Sequence, residues 1–154
     1  MKTLLCLLTA LLFHTTALSQ ELTAIFISDG VYEEGQVVQP ANSMKAEVGT
    51  VFGFRYKITG LPDKTYYDFT ARVTHPPMLI NGKLSSDYQT TIQKQVEDGQ
   101  IESGVMYTIQ RDFELVAGLW TLELIYQDRV LLSRQFVMEW KLMNRFDALS
   151  EQIK

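Results

Sequence analysis

The stretch VTHPPM, which ends at Met78, carries the most chemically distinctive side chains of the sequence. His75 and Met78 are soft ligands that suit copper in an exported protein, but two ligands are too few for a site and the other methionines are scattered. A second interpretation is a strand corner, because Pro76 and Pro77 donate no ladder hydrogen bond and would end a strand. The third is a rigid apolar loop tip, formed by these four residues, that meets a partner. We name this loop as the candidate contact surface and expect no bound metal.

Motifs for other chemistries are missing from the sequence. Beyond the first 19 residues it has one histidine, His75, and no cysteine, which excludes a His/Cys zinc site within one chain. It has no Gly-x-Ser-x-Gly elbow, no His-Glu-x-x-His, no phosphate-binding glycine loop and no calcium loop. The adjacent acids Glu33-Glu34 and Glu97-Asp98 lie near turn signals, where solvated loop charge explains them. We therefore expect a protein that is not an enzyme and uses no cofactor.

A secretory signal peptide is predicted for residues 1–19. Met1-Lys2 provides a short positive start, Thr3–Phe13 is an apolar run, and small residues lead up to Ser19. The apolar run is shorter than the roughly 20 residues that span a bilayer, so we expect no membrane span after the signal is removed. Cleavage also removes Cys6, so the mature chain cannot form an internal disulfide.

The charge balance points away from nucleic acid. Removal of Lys2 leaves 13 of the 14 basic residues against 18 acidic residues, for a net charge of −5. Nucleic-acid binding calls for a basic patch, whereas this balance is typical of a soluble surface. Together with the signal peptide, it predicts a periplasmic or secreted protein.

Alternation of apolar and polar residues dominates the region 20–138 and predicts one β-domain. Strict alternation with aromatic and β-branched residues is typical of half-buried antiparallel strands. Between these runs lie turn signals such as Asn81-Gly82, Asp98-Gly99 and Gln127-Asp128. We predict an all-β fold, an immunoglobulin-like antiparallel β-sandwich of about seven or eight strands, with a small closed barrel as the alternative. The residues expected on inner faces are Phe52, Phe54, Tyr56, Ile58, Tyr67, Phe69, Ala71, Val73, Trp120, Leu122, Leu124 and Tyr126.

Several tyrosines alternate with polar residues, so some must face outward. An exposed aromatic row would stack on sugars, whereas aromatic cross-strand pairs would only stabilise the sheet. The tyrosines concerned are Tyr66, Tyr67, Tyr88, Tyr107 and Tyr126.

The C-terminal residues 139–154 change the period to that of an amphipathic helix. Their apolar side chains recur at helical spacing, with polar residues between them. A helix this short is marginal in water and needs a surface to lean on, either its own sandwich or a partner. The candidate binding face of this helix is Leu142, Phe146, Leu149 and Ile153.

Segments in order along the chain resemble a family of exported bacterial domains with no assigned function. They are DGVY, VGTVFGFRYKITG, VTHPPM and RDFELVAGLWTLELIYQDRVLLSRQFVM, spanning Gly30 to Met138. The family has a Gly-x-Tyr, a Phe-Gly segment, a His-Pro-Pro and a Glu-Leu-Val-x-Gly-x-Trp before a closing hairpin. Here Ala117 stands where the family has proline, ahead of Gly118 and Trp120. The resemblance implies an exported β-sandwich domain but no activity, and the helical tail lies beyond it.

These observations lead to two hypotheses about function. The first is a non-catalytic protein-interaction domain of the periplasm or cell envelope, with another envelope protein as partner and a monomeric or weakly oligomeric state. The alternative is a small-ligand or carbohydrate-binding module that uses exposed tyrosines.

The mature protein is predicted to begin at Gln20. Cleavage after Ser19 places Ala17 and Ser19 at the two small positions that signal peptidase recognises. Intact-mass analysis of the protein recovered from the periplasm should give the mass of residues 20–154. Retention of Met1 in the recovered protein would contradict export by this route.

Overall fold

The computed structural model describes residues 21–40, 42–61 and 65–139. These residues contain nine β-strands and one turn of 3₁₀ helix. The 3₁₀ turn is Asp112–Glu114. The strands are β1 (Thr23–Glu33), β2 (Gln36–Gln39), β3 (Ser43–Lys45), β4 (Val51–Thr59), β5 (Tyr66–Ile80), β6 (Lys83–Gln95), β7 (Ile101–Thr108), β8 (Gly118–Tyr126) and β9 (Arg129–Glu139).

The strands form two separate sheets, with orders β2-β1-β4-β7 and β3-β9-β8-β5-β6. The predicted β-sandwich is therefore confirmed, and the alternative of a closed barrel is wrong. The structure has more strands than the seven or eight expected, partly because β3 is too short to show alternation. This strand also pairs parallel to the end of β9, while the other pairings between strands are antiparallel.

Both sheets contribute aromatic and aliphatic side chains to one core, as the alternation predicts. Phe52 on β4 is fully buried, and its ring meets those of Trp120 and Phe136 at centroid distances of 5.7 Å and 5.3 Å. Because Phe52 belongs to the four-stranded sheet and its partners to the five-stranded one, these contacts join the two layers. Full burial of each such side chain stabilises the fold by roughly 1.5–3 kcal/mol.

Tight turns join the strands at the predicted positions. Asn81-Gly82, Asp98-Gly99 and Gln127-Asp128 each have positive φ at both residues, as two-residue turns between right-twisted strands require. Glu34-Gly35 makes a similar turn, which was not among the predicted turns.

The predicted corner at Pro76-Pro77 is a bulge inside β5, so the strand does not end there. Pairing with β8 stops at Thr74, and pairing with β6 resumes only at Met78. The two prolines thus occupy positions where neither neighbour needs a backbone donor, which is where a strand tolerates them. Both X-Pro bonds are trans, since the described residues contain no cis peptide. His75–Met78 is therefore neither a strand end nor a loop tip, because it lies inside β5; contact of this segment with a partner stays a prediction.

Beyond the bulge, the end of β5 and the start of β6 continue as a two-stranded ribbon, beyond the last β5–β8 pair of Thr74 and Thr121. We call residues 78–85 the hairpin arm; the Asn81-Gly82 turn lies at its tip.

Two predicted elements lie outside the described residues: the signal peptide at 1–19 and the helix at 139–154, of which only Glu139 is described, as the last residue of β9. Within the described ranges, no helix is long and apolar enough to cross a bilayer.

Because Phe136 is buried between the sheets, its replacement should destabilise the fold far more than replacement of Phe113. Phe136→Ala should lower the free energy of unfolding by about 3–5 kcal/mol, because it leaves a cavity between the sheets. Phe113→Ala, at an exposed ring, should cost less than about 1 kcal/mol. Urea unfolding followed by tryptophan fluorescence measures both, and equal losses would contradict this account of the core.

Candidate functional site

A cleft of about 530 Å³ opens at one end of the sandwich, where the hairpin arm overhangs the end of β7. One wall comes from β5 and β6, and the other comes from β7 and the residues up to the 3₁₀ turn. Its lining residues are His75, Met78, Ile80, Ser85, Asp87, Tyr88, Met106, Tyr107, Thr108, Gln110, Arg111, Phe113 and Glu114.

The bulge in β5 divides the HPPM segment between two sides of the sheet. His75 and Met78 are buried and line the cleft, whereas Pro77 between them is exposed. A regular strand would alternate strictly, but the two proline positions in the bulge put both outer members of the segment on the inner side. The segment is therefore part of the cleft wall.

His75 is held rigidly in that wall. Its Nδ1 lies 2.8 Å from the carbonyl oxygen of Pro76, and because a carbonyl only accepts, Nδ1 carries the proton. The ring lies 5.1 Å from that of Trp120, and the residue is 4% exposed. The indole N–H of Trp120 in turn donates to the carbonyl oxygen of Val116 at 3.1 Å. Both rings are thus fixed by a hydrogen bond and by each other.

Glu114 organises the opposite wall. Its Oε2 accepts hydrogen bonds from the backbone N–H groups of Gln110, at 2.5 Å, and Arg111, at 3.1 Å. The hydroxyl of Tyr107 also donates to this carboxylate. One acidic side chain therefore ties the 3₁₀ turn to the end of β7.

Tyr107 connects the cleft to the core. Its ring lies 5.1 Å from Trp120 and 5.8 Å from Phe52. Burial first, and then the Glu114 carboxylate, raises the pKa of Tyr107 to about 12 from its ordinary value of 10.0, with a smaller contribution from Tyr88. The phenol is therefore neutral at physiological pH and acts as a hydrogen-bond donor.

The rim of the cleft is aromatic and carries one cation. Tyr88 on β6 is exposed, as is Phe113 on the 3₁₀ turn. The guanidinium of Arg111 lies 5.8 Å above the Phe113 ring, within the range of a cation–π contact. These groups remain accessible to a ligand.

The structure brings together some predicted residues and separates others. His75, Met78, Tyr88 and Tyr107 share the cleft, but the five tyrosines do not form one exposed row. Tyr67 and Tyr126 pack against Phe69 and each other instead, and Tyr66 is exposed at the far end of β5. Arg111, Phe113 and Glu114 were not among the predicted site residues, because they belong to no recognised motif and lie just past the end of β7. The loss of alternation after Ile109 was the available signal.

Met106 also lines the cleft, but it does not supply a third copper ligand beside His75 and Met78. Its sulfur lies over Gly53, 3.0 Å from the position that a Cβ there would take. Within the described ranges, no group of three His, Cys, Asp or Glu side chains is placed to hold a metal.

A second groove, of about 450 Å³, lies beside Tyr32 and Arg55 and includes Gly104 and Met106. A Cβ on Gly104 would lie 3.0 Å from the terminal methyl of Met106. This groove is mainly where a methionine packs over glycine backbone, so the cleft is the better candidate site.

Comparison with known proteins agrees with this architecture. Residues 19–138 match a family described as a domain of unknown function, DUF3859. An immunoglobulin-like protein from Pseudomonas aeruginosa, known from a crystal structure, superposes with a TM-score of 0.66 at 24% identity, covering 79% of this chain and 99% of that chain. No curated protein matches the sequence. The predicted immunoglobulin-like sandwich is confirmed, and at this identity the likeness extends to the fold alone.

The Tyr107–Glu114 contact predicts the alkaline behaviour of the cleft. The pKa of Tyr107 is higher in the folded than in the unfolded chain, so the stabilisation is complete below pH 10 and is lost as the pH rises toward 12. Glu114→Gln should lower the pKa of Tyr107 toward 10 without reaching it, since burial remains. Ultraviolet difference absorbance of tyrosinate measures this, with Tyr107→Phe identifying the signal. If the tyrosinate titration is unchanged in Glu114→Gln, the Glu114 carboxylate does not raise the pKa of Tyr107.

Proposed function

This chain belongs to the DUF3859 family, and we propose that it is a non-catalytic binding module of the periplasm or cell envelope that holds another protein in its cleft. The exported location rests on the predicted signal peptide at residues 1–19.

The composition of the cleft carries the proposal. Tyrosine, phenylalanine, methionine and arginine are enriched at protein–protein interfaces, and lysine is depleted. The lining includes Met78, Tyr88, Tyr107, Arg111 and Phe113, and no lysine. Energetically important contacts are typically aromatic or arginine side chains beside well-packed pockets, which is the arrangement of Tyr88 and Arg111 above the buried floor.

The rigidity of the cleft supports the same function. His75, Trp120 and Glu114 are each anchored by hydrogen bonds to backbone groups, so the walls are formed before a partner arrives. A preformed site loses little conformational entropy on binding, and more of the contact energy remains as affinity.

The same anchoring supports a non-catalytic role. His75 is bonded to the Pro76 carbonyl and covered by Trp120, and Glu114 already accepts hydrogen bonds from Gln110, Arg111 and Tyr107. A general base must reach a substrate proton at hydrogen-bond distance, whereas His75 is only 4% exposed and Oε2 of Glu114 already accepts from two backbone N–H groups.

A second candidate function is the binding of a small ligand or a sugar. Tyr88 and Tyr107 share the cleft with the polar side chains of Asp87, Gln110 and Arg111. An aromatic face beside hydrogen-bonding groups suits a sugar ring, and 530 Å³ lies within the roughly 300–1,000 Å³ of ligand sites.

Tyr88 and Tyr66 provide a matched pair for the test, because both are exposed tyrosines of the five-stranded sheet, at 57% and 53%. A photo-crosslinking phenylalanine analogue at position 88, expressed in the native cell, should capture one defined envelope protein. The same analogue at position 66, outside the cleft, should not.

With the captured protein purified, Tyr88→Ala should weaken binding about thirtyfold, since truncating an interface hot spot costs about 2 kcal/mol. Tyr66→Ala should leave affinity unchanged, and circular dichroism should show that both variants fold alike. Equal losses would place the contact outside the cleft. If no protein is captured, a glycan panel in which only Tyr88→Ala loses binding would favour the second candidate.

A further inference from the structure

One edge of the four-stranded sheet is unpaired. Within the described ranges β7 pairs with β4 on one side, in a register without shifts, and no strand lies on its other side. Successive residues of an antiparallel strand direct their backbone groups alternately to its two sides. Ile109, just past β7, donates its N–H to Thr50 at 3.0 Å, and its carbonyl oxygen accepts from Gly49 at 2.8 Å. The odd-numbered residues of β7 therefore face β4, and the even-numbered ones face the free edge.

Both ends of this free edge are satisfied by the chain itself. At the start, Gln100 exchanges two backbone hydrogen bonds with Glu97, at 2.9 Å and 3.0 Å, across the Asp98-Gly99 turn. At the far end, the N–H of Gln110 donates to the carboxylate of Glu114. Gln100 and Gln110 are even-numbered, so both contacts agree with the alternation along β7. Because Glu114 lines the cleft, the free edge faces the cleft.

Between these two ends the edge is open. The alternation directs the backbone N–H and C=O groups of Met106 and Thr108, which both line the cleft, away from β4. Two donors and two acceptors therefore lie side by side with no ladder partner among the described residues. Natural edge strands are usually protected by charged side chains, proline or short length. From Ser103 to Thr108, β7 has neither a charge nor a proline.

The other edge strands have such protection. At the outer ends of the two sheets, β2 has four residues and β3 has three. The long edge strand β6 carries three charged residues, Lys83, Asp87 and Lys94. The edge of β7 is thus the one best suited to accept another strand.

The five-stranded sheet provides the second side of the space beside β7. Tyr88 on β6 is the register partner of Val73 on β5, and partners in register share one face of a sheet. Val73 is buried, so Tyr88 also faces the inner side of the sandwich, yet it is 57% exposed. The inner face of β6 is therefore open at Tyr88, where one more strand of the four-stranded sheet would cover it.

We propose that the cleft takes an extended segment of the partner protein, which adds a strand to the free edge of β7. This inference rests on the proposed function and names the part of the partner that is bound. Main-chain hydrogen bonds to Met106 and Thr108 supply affinity, and side chains at alternate positions supply specificity. The residue opposite Tyr107 points inward, as Tyr107 does, toward Met78 and Tyr88, so an apolar side chain is required there.

Random heptapeptides displayed on phage and selected on the full chain provide a probe that does not require the native partner. Selected peptides that lose binding to Tyr88→Ala are cleft binders, and these are then synthesised with one backbone N–H methylated at a time. In a strand along β7 only alternate N–H groups face the edge. Methylation at every second residue should therefore weaken binding about tenfold, and methylation between them should not. Isothermal titration calorimetry measures each affinity.

Thr108→Pro and Glu102→Pro are a matched pair of variants of β7. Both residues are even-numbered, so proline at either position removes no hydrogen bond to β4. Thr108 lines the cleft and Glu102 does not. Thr108→Pro should weaken peptide binding about tenfold, and Glu102→Pro should leave it unchanged, with circular dichroism showing that both variants fold. If Thr108→Pro does not fold, the methylation series on the unaltered protein still decides.

Each other result overturns the inference. If cleft binders show no period of two under methylation, the cleft holds side chains rather than a strand, and the proposed function stands without this inference. If no selected peptide depends on Tyr88, strand addition is wrong, while crosslinking at position 88 still tests the proposed function. If the full chain is a dimer that Thr108→Pro dissociates, the occupant is a second copy. Slow hydrogen exchange at the Met106 and Thr108 amides of the free monomer would mean that the chain already covers its own edge.

Discussion

The buried indole of Trp120 is the contact on which both the core and the cleft depend. On one side its ring meets Phe52 and joins the two sheets; on another it meets His75 and Tyr107, the inner residues of the two cleft walls. A buried indole N–H needs an acceptor, and Val116, just before β8, supplies one. Fixing this ring for the sake of the core therefore also fixes the spacing of the cleft walls.

The double proline imposes the second constraint. A strand in the middle of a sheet must supply donors to both neighbours, and Pro76-Pro77 cannot. The structure meets this limit by ending the β8 pairing at Thr74 and bulging away from β6 until Met78. As a result the hairpin arm projects beyond the sheet, which creates the overhang that makes a cleft. Pro76-Pro77, which the sequence indicated as the end of a strand, therefore shapes the cleft.

Alternation predicted the inner face of β4 from Phe52 to Ile58 and the Asn81-Gly82 turn, because both signals are local to one strand or one hairpin. The cleft could be predicted only in part. Whether Pro76-Pro77 ends a strand depends on where β8 stops, and that is a property of the sheet. The Tyr107–Glu114 contact is set by a 3₁₀ turn whose start is Arg111, which is not a residue type that signals a helix cap.

The hairpin arm brings these constraints together. A two-stranded ribbon in water is at best marginally stable and needs packing on at least one face. Met78 provides such packing on the inner face, where it is buried, but its neighbour Leu79 pairs with Leu84 on a face that is open to solvent. Anything that covers the outer pair therefore also steadies the arm that forms one wall of the cleft. Packing on the faces of this ribbon therefore sets how firmly that wall of the cleft is held.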